Sequence, residues 1–161
     1  MLKLTKKADY GLIALRHLAV GSGERSASAK EIADRYGIPL PLLSKVLQKL
    51  TRGGFLRSEH GTNGGYRLAR DSRSISTLEV VRAIDGPVIL TSCFTGSKQC
   101  GQSGTCTVRE PLRRVQLAIL GMLESISISD MAQDETEEVA AEGCGLTAGV
   151  EPAAKLAVIR D

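Results

Sequence analysis

The chain has 161 residues, 42% of them hydrophobic and 3% aromatic with no tryptophan, and carries 21 Lys/Arg against 18 Asp/Glu. These figures allow one buried core with an extension and exclude an aromatic platform for stacking unpaired bases; along the sequence no apolar run of about eighteen residues occurs that could span a membrane. Residues 1–73 hold 14 Lys/Arg and 6 Asp/Glu, a net +8, while residues 74–161 hold 7 and 12, a net −5; the basic half has the electrostatic footprint of a duplex-binding surface, with an ordinary solvated face as the plain alternative.

From Ala8 to Val20, the residues Tyr10, Ile13, Ala14, Leu15 and Leu18 recur at helical spacing until Gly21-Ser22-Gly23, which predicts a first helix. Ser28 stands at an N-cap position with Glu31 three residues on, and Ile32, Ala33 and Tyr36 face inward before Gly37 stops a short second helix. Pro39 and Pro41 lack amide donors and suit a helix entry, so Pro41 to Thr51, with Leu42, Leu43, Val46, Leu47 and Leu50 apolar, reads as a third helix closed by Gly53-Gly54. Joined through Gly37-Ile38-Pro39-Leu40, the second and third helices make a helix-turn-helix.

Phe55, Tyr66 and Leu68 sit at strand-compatible positions around Gly61-Thr62-Asn63-Gly64-Gly65. This predicts a β-wing whose glycines supply positive φ at the tip, and no phosphate-loop spacing competes with that reading. Ile75 to Ile84 predicts a helix started by Ser76 or Thr77, with Glu79 nearby, and ended by Asp85-Gly86-Pro87. Pro111 opens a last helix in which Leu112, Val115, Ile119, Met122, Leu123 and Ile126 form an apolar stripe. Helix-turn-helix proteins commonly read two half-sites as dimers, so a homodimer through this helix is expected, with packing on the chain's own core as the alternative. Beyond Met131 the chain turns acidic and small, which predicts a flexible tail.

Three of the four cysteines, Cys93, Cys100 and Cys106, fall in one polar, glycine-rich stretch; the fourth is Cys144. The opening Met1-Leu2-Lys3-Leu4-Thr5-Lys6-Lys7 leads into an amphipathic pattern rather than a signal-peptide core, so a cytoplasmic protein is expected. In a reducing cytosol, clustered cysteines are more often metal ligands or redox groups than disulfide partners.

Four features in order carry a resemblance to a known family. They are Leu4-Thr5 with Asp9-Tyr10, Ile38-Pro39-Leu40-Pro41, Gly61-Thr62-Asn63-Gly64-Gly65-Tyr66-Arg67-Leu68, and the cysteine loop. Together, over roughly residues 1–131, they make the chain similar to the IscR/NsrR-type winged-helix transcription regulators, which are dimeric and in many members hold an iron–sulfur cluster on three cysteines. The stretch Gly86-Pro87-Val88-Ile89-Leu90-Thr91, with Cys106-Thr107-Val108-Arg109, most resembles the branch that controls the SUF cluster-assembly genes.

Soft thiolates match iron, and the C-x6-C-x5-C gaps leave each sulfur free to reach a different part of a cluster, 2Fe-2S or 4Fe-4S. Zinc is the competing metal, although its structural sites usually use tighter knuckles and the two histidines, His17 and His60, both lie in the basic half. Where one group of relatives places a histidine ligand three residues after the third cysteine, this chain has Arg109, which has no lone pair to offer iron. The resemblance to the nitric-oxide-sensing members implies instead a carboxylate from the partner subunit's first helix; Asp9 matches that place, with Glu110 as the other candidate and a solvated helix-start carboxylate as the plain reading of Asp9.

Pro41, Ser44, Lys45 and Gln48 are the expected major-groove readers, Ser44 and Lys45 foremost. The wing tip, His60, Gly61, Asn63 and Gly64, is expected in a minor groove, with His60 standing where many relatives have arginine. Lys3, Lys6 and Lys7, with Arg52 and Arg57, are expected on phosphates.

The fold expected is mainly α with a small β-wing: a winged helix-turn-helix domain (1–85), a cysteine cluster-binding loop (86–109), a dimerisation helix (110–131) and an acidic flexible tail (132–161). The function that follows is a cluster-binding transcriptional regulator, a repressor of SUF genes acting on double-stranded operator DNA as a homodimer. A zinc- or thiol-based redox-responsive repressor without a cluster is the alternative. With no C-x-x-C, no Ser-His-Asp or Cys-His arrangement and no nucleotide loop, no enzyme is expected.

Overall fold

The computed structural model describes residues 4–20, 26–59, 61, 64–91, 94, 102 and 105–133. Its elements are α1 (Lys6–Ala19), α2 (Ala29–Tyr36), α3 (Leu40–Arg52), β1 (Leu56–Glu59), β2 (Gly65–Leu68), α4 (Thr77–Asp85) and α5 (Arg109–Ser125), with a 3-10 turn at Ser72–Ser74. The protein is mainly helical with a small antiparallel wing, as the pattern predicts.

Local chemistry starts each helix. The Thr5 hydroxyl accepts from the Ala8 amide and donates to Asp85 Oδ1 at 2.7 Å, so α1 begins at Lys6, ahead of its apolar pattern, and its start is tied to the end of α4. Ser28 accepts from the Glu31 amide at 3.0 Å, and α2 ends on Gly37 in the left-handed region. At α4 the capping box is complete: Ser76 accepts from the Glu79 amide, and Glu79 accepts from the Ser76 amide. Such caps typically contribute about 1 kcal/mol each.

Helices α1, α3 and α4 enclose the core, with Leu15, Leu18, Ile32, Leu43, Leu47, Leu50, Ile75, Leu78, Val80 and Val81 fully buried. Burying each side chain of this size stabilises by about 1.5–3 kcal/mol.

The wing pairs Leu56 with Leu68, Arg57 with Arg67, Ser58 with Tyr66 and Glu59 with Gly65. A third strand position comes from Ala27, whose amide donates to Tyr66 O at 3.0 Å while Tyr66 N donates back to Ala27 O at 2.8 Å. Leu56 and Leu68 turn to the core; Arg57 stands exposed on the other face.

The dimerisation helix expected over residues 110–131 is interrupted: α5 ends at Ser125, with Ile126, the last residue of the apolar stripe, at its C-cap. The chain there pairs with the approach to α4: Thr77 N donates to Ile126 O and Ile128 N donates to Ile75 O, each at 2.9 Å, around a Ser76–Ser127 bridge. Residues 128–133 then form a separate helical turn. Ile128 is fully buried in the core, and Arg16 Nε donates to Met131 O at 2.7 Å. Residues 134–161, with Cys144, lie outside the described residues.

Candidate nucleic-acid interface and cysteine loop

Helix α3 has two unlike faces. Leu43, Val46, Leu47 and Leu50 are buried, whereas Pro41, Lys45, Gln48 and Arg52, at i, i+4, i+7 and i+11, are exposed and Ser44 is half-buried beside them. The predicted readers therefore share one outward stripe, held rigid by the core on the other side. Leu40, in the first turn one step before Ser44, is 41% exposed. It was not among the predicted readers, yet an exposed leucine there is suited to contact a thymine methyl.

Lys6 and Lys7 stand exposed in the first turn of α1, and Arg57 stands exposed on the wing. Lys3, His60 and Asn63 lie outside the described residues. Lys49 is a different kind of cation: its Nζ donates to Ile84 O at 2.8 Å and so satisfies a carbonyl at the end of α4.

In the described part of the wing tip, one glycine supplies the expected positive φ. Gly61 has a positive φ of 123°, but neither Gly64 nor Gly65 does. Those two are small for a different reason: a Cβ on Gly64 would press on the carbonyls of Glu59 and Gly61, and one on Gly65 would press on the Ala27 backbone. Gly64 N also donates to Gly61 O at 2.9 Å, which closes the turn. On the charged face of the sheet, Glu59 accepts from Arg67 at 2.9 Å and lies 4.0 Å from Arg57, offsetting the repulsion between the two paired arginines. Arg70 lies over the Phe55 ring at 4.9 Å and reaches Glu79 at 3.2 Å.

Of the three loop cysteines, Cys106 is described: a free thiol, half-buried, three residues before α5. Cys93 and Cys100 lie outside the described residues. Among the described residues no three His, Cys, Asp or Glu side chains are grouped to hold a metal. Asp9 is exposed in the first turn of α1. Glu110 is engaged: Arg113 donates to both of its oxygens, at 2.8 and 2.7 Å, and Arg114 lies 3.9 Å away. The Arg113 hydrogen bonds hold the Glu110 carboxyl below its ordinary pKa. Arg109 opens α5.

Gln116 is the one buried residue of α5. Its side-chain oxygen accepts from Leu90 N at 2.6 Å and its amide donates to Val88 O at 2.5 Å. The apolar stripe marked this helix without marking Gln116, because a polar residue between apolar ones reads as surface until its partners are seen. Around it, Val115 is 47% exposed, Leu117 52% and Met122 67%.

The family model described as Rrf2, "Iron-dependent Transcriptional regulator", matches residues 4–134. The HTH-type transcriptional regulator NsrR of Oceanobacillus iheyensis is 30% identical over 143 residues, covering 88% of this chain and 97% of that protein. Among solved structures, T. potens IscR superposes with a TM-score of 0.69 at 31% identity, over 85% of this chain and 90% of that one. CymR, the global cysteine regulator of B. subtilis, superposes with a TM-score of 0.68 at 27% identity, over 83% and 98%.

Proposed function

The chain belongs to the Rrf2 family of DNA-binding transcriptional regulators, and on that premise we propose that it is a dimeric repressor holding an iron–sulfur cluster on Cys93, Cys100 and Cys106. The observation that carries the DNA-reading half is the outward stripe of α3, Pro41, Lys45, Gln48 and Arg52, mounted on a core-facing row. In this reading Lys45 and Ser44 donate to base edges, Leu40 contacts a thymine methyl, and Lys6, Lys7 and Arg57 neutralise phosphates.

The donor set fits a cluster. Three thiols in one loop are soft ligands, Cys106 is a free thiol, and Asp9 offers an exposed carboxylate on α1 while Glu110 is held by Arg113. Bound there, a cluster supplies a centre whose stability depends on oxidants, nitric oxide and iron supply. Asp9 of the partner subunit is the fourth ligand in this proposal; an oxygen ligand is the weakest bond of the set and the one most readily exchanged. The dimer forms through α5, whose seam Leu112, Val115, Ile119, Met122 and Ile126 alternates by three and four residues. Five of the seven large apolar residues exposed among the described ones lie on α5 or next to it, more than an isolated surface helix leaves open.

Chemical analysis of protein purified without air tests the cluster: iron and acid-labile sulfide are expected in the wild type, lost on Cys93→Ala, Cys100→Ala or Cys106→Ala and reduced by Asp9→Ala but not by Glu110→Ala. Colourless protein carrying zinc or no metal would sink it. The thiol-switch repressor then becomes the reading, favoured by the free Cys106 and by the likeness to a cysteine regulator. The target we propose, SUF cluster-assembly genes, rests on the resemblance of Gly86–Thr91 and Cys106–Arg109 to that branch. Genomic fragments selected by the protein are expected to map upstream of such genes.

A further inference from the structure

Gln116 sits 8% exposed, the one buried residue of a helix whose other residues are exposed or half-buried. Its amide engages the carbonyl of Val88 and the N–H of Leu90, groups that an extended chain turns to the same side, so the side chain serves as a neighbouring strand would. Val88 packs against the core. Leu90 precedes Cys93 by three residues, and Cys106 precedes Arg109, the start of α5, by three. Both roots of the cysteine loop therefore end on the first two turns of α5, one through the chain and the other through Gln116. The neighbouring Val115 belongs to the apolar seam. A buried amide with donor and acceptor both used makes a stiff joint, because parting it leaves buried polar groups unpaired.

We propose that Gln116 is the positioning residue that joins the cysteine loop to the seam of α5, so that a change of state at the sulfurs alters how the two reading heads are held. This rests on the readings of the loop as sensor and of α5 as dimer helix given above. Coupling of this kind exists only as far as the joint favours one dimer arrangement over another.

The test compares full-length wild type with Gln116→Met, which keeps length and removes both polar groups. In reduced, cluster-free protein the Leu90 amide is expected to exchange about tenfold faster in the variant, while amides of α1, α3 and α4 keep their protection. The ratio of operator affinities between cluster-loaded and cluster-free protein is expected to fall toward one. Gln116→Glu is the conservative check. A protonated carboxyl offers the same donor and acceptor as the amide, so its ratio recovers as pH is lowered while that of the methionine variant stays flat. Unchanged Leu90 exchange, or an unchanged ratio in folded Gln116→Met, overturns the proposal. If the wild type takes up no iron, the cluster reading alone fails, and the ratio is measured between reduced protein and protein alkylated at its cysteines. A ratio indifferent to Gln116 there, or a wild-type ratio of one in both comparisons, also overturns it.

Discussion

At Gly65 the limit on side-chain size is set by backbone that cannot move aside: an added Cβ would meet the carbonyl and carbon of Ala27 and the amide of Ser28. Gly65→Ala is expected to cost about 1–3 kcal/mol, read as a lower urea midpoint together with faster exchange of the Ala27 amide, which marks the lost strand bridge. Asp130 is a second such residue. Its carboxylate accepts from the Ser127 hydroxyl at 2.7 Å and from the Ser127 amide at 2.8 Å, and these bonds, the hydroxyl first, hold its pKa below the ordinary value. A carboxyl with a lowered folded-state pKa contributes stability above its unfolded value, about 4, and loses that contribution as pH falls through the lower folded value. Acidification through that window is therefore expected to loosen residues 127–133 ahead of the core, and Asp130→Asn to remove the pH dependence, both visible by NMR titration. The glycine-rich tip was legible in the sequence as a turn. The reason for Gly64 and Gly65 was not, because the crowding comes from Ala27 and from carbonyl directions that periodicity does not carry.

The DNA contacts proposed for α3 and for the start of α1 are of two kinds with separable signatures. Lys45→Ala is expected to lose about 1–3 kcal/mol of discrimination at one operator position. Lys6→Ala and Lys7→Ala are expected to weaken all DNA sequences alike and to lower the salt slope by about one each, as fluorescence anisotropy over a salt series would show. Equal loss on all sequences for Lys45→Ala would remove it from the readers. The starts of α2 and α4 were legible because their caps are local: Ser28, and Ser76 with Glu79, lie within three residues of what they satisfy. The end of α5 was not, because it is set by Thr77, 49 positions before the Ile126 carbonyl that its hydroxyl reaches. The seam was legible as an apolar stripe at α-helical spacing, while the joint at Gln116 depends on a backbone segment 26 to 28 positions earlier.

For the whole molecule, the proposed dimer makes the seam of α5 the element on which joint action of two heads depends. None of the apolar residues of α5 belongs to the core cluster or packs against it, so charge placed there is expected to disrupt association without unfolding the heads. Met122→Glu is expected to sediment as a monomer and to bind a two-half-site operator at least tenfold more weakly, the loss that removing a linked second site produces, with its unfolding midpoint little changed. A dimer that survives Met122→Glu and Val115→Glu would place the contact elsewhere. The pairing of Ile126 and Ile128 with Ile75 and Thr77 also bears on any attempt to exchange parts between relatives. Thr77, 3% exposed, directs both its amide and its hydroxyl at Ile126 O, and stranding such groups costs about 1–3 kcal/mol apiece. Residues 4–85 are therefore not a self-sufficient cassette: a chimera must keep a segment after α5 that restores this backbone pairing and fills the buried place of Ile128, however foreign the helix and loop between them.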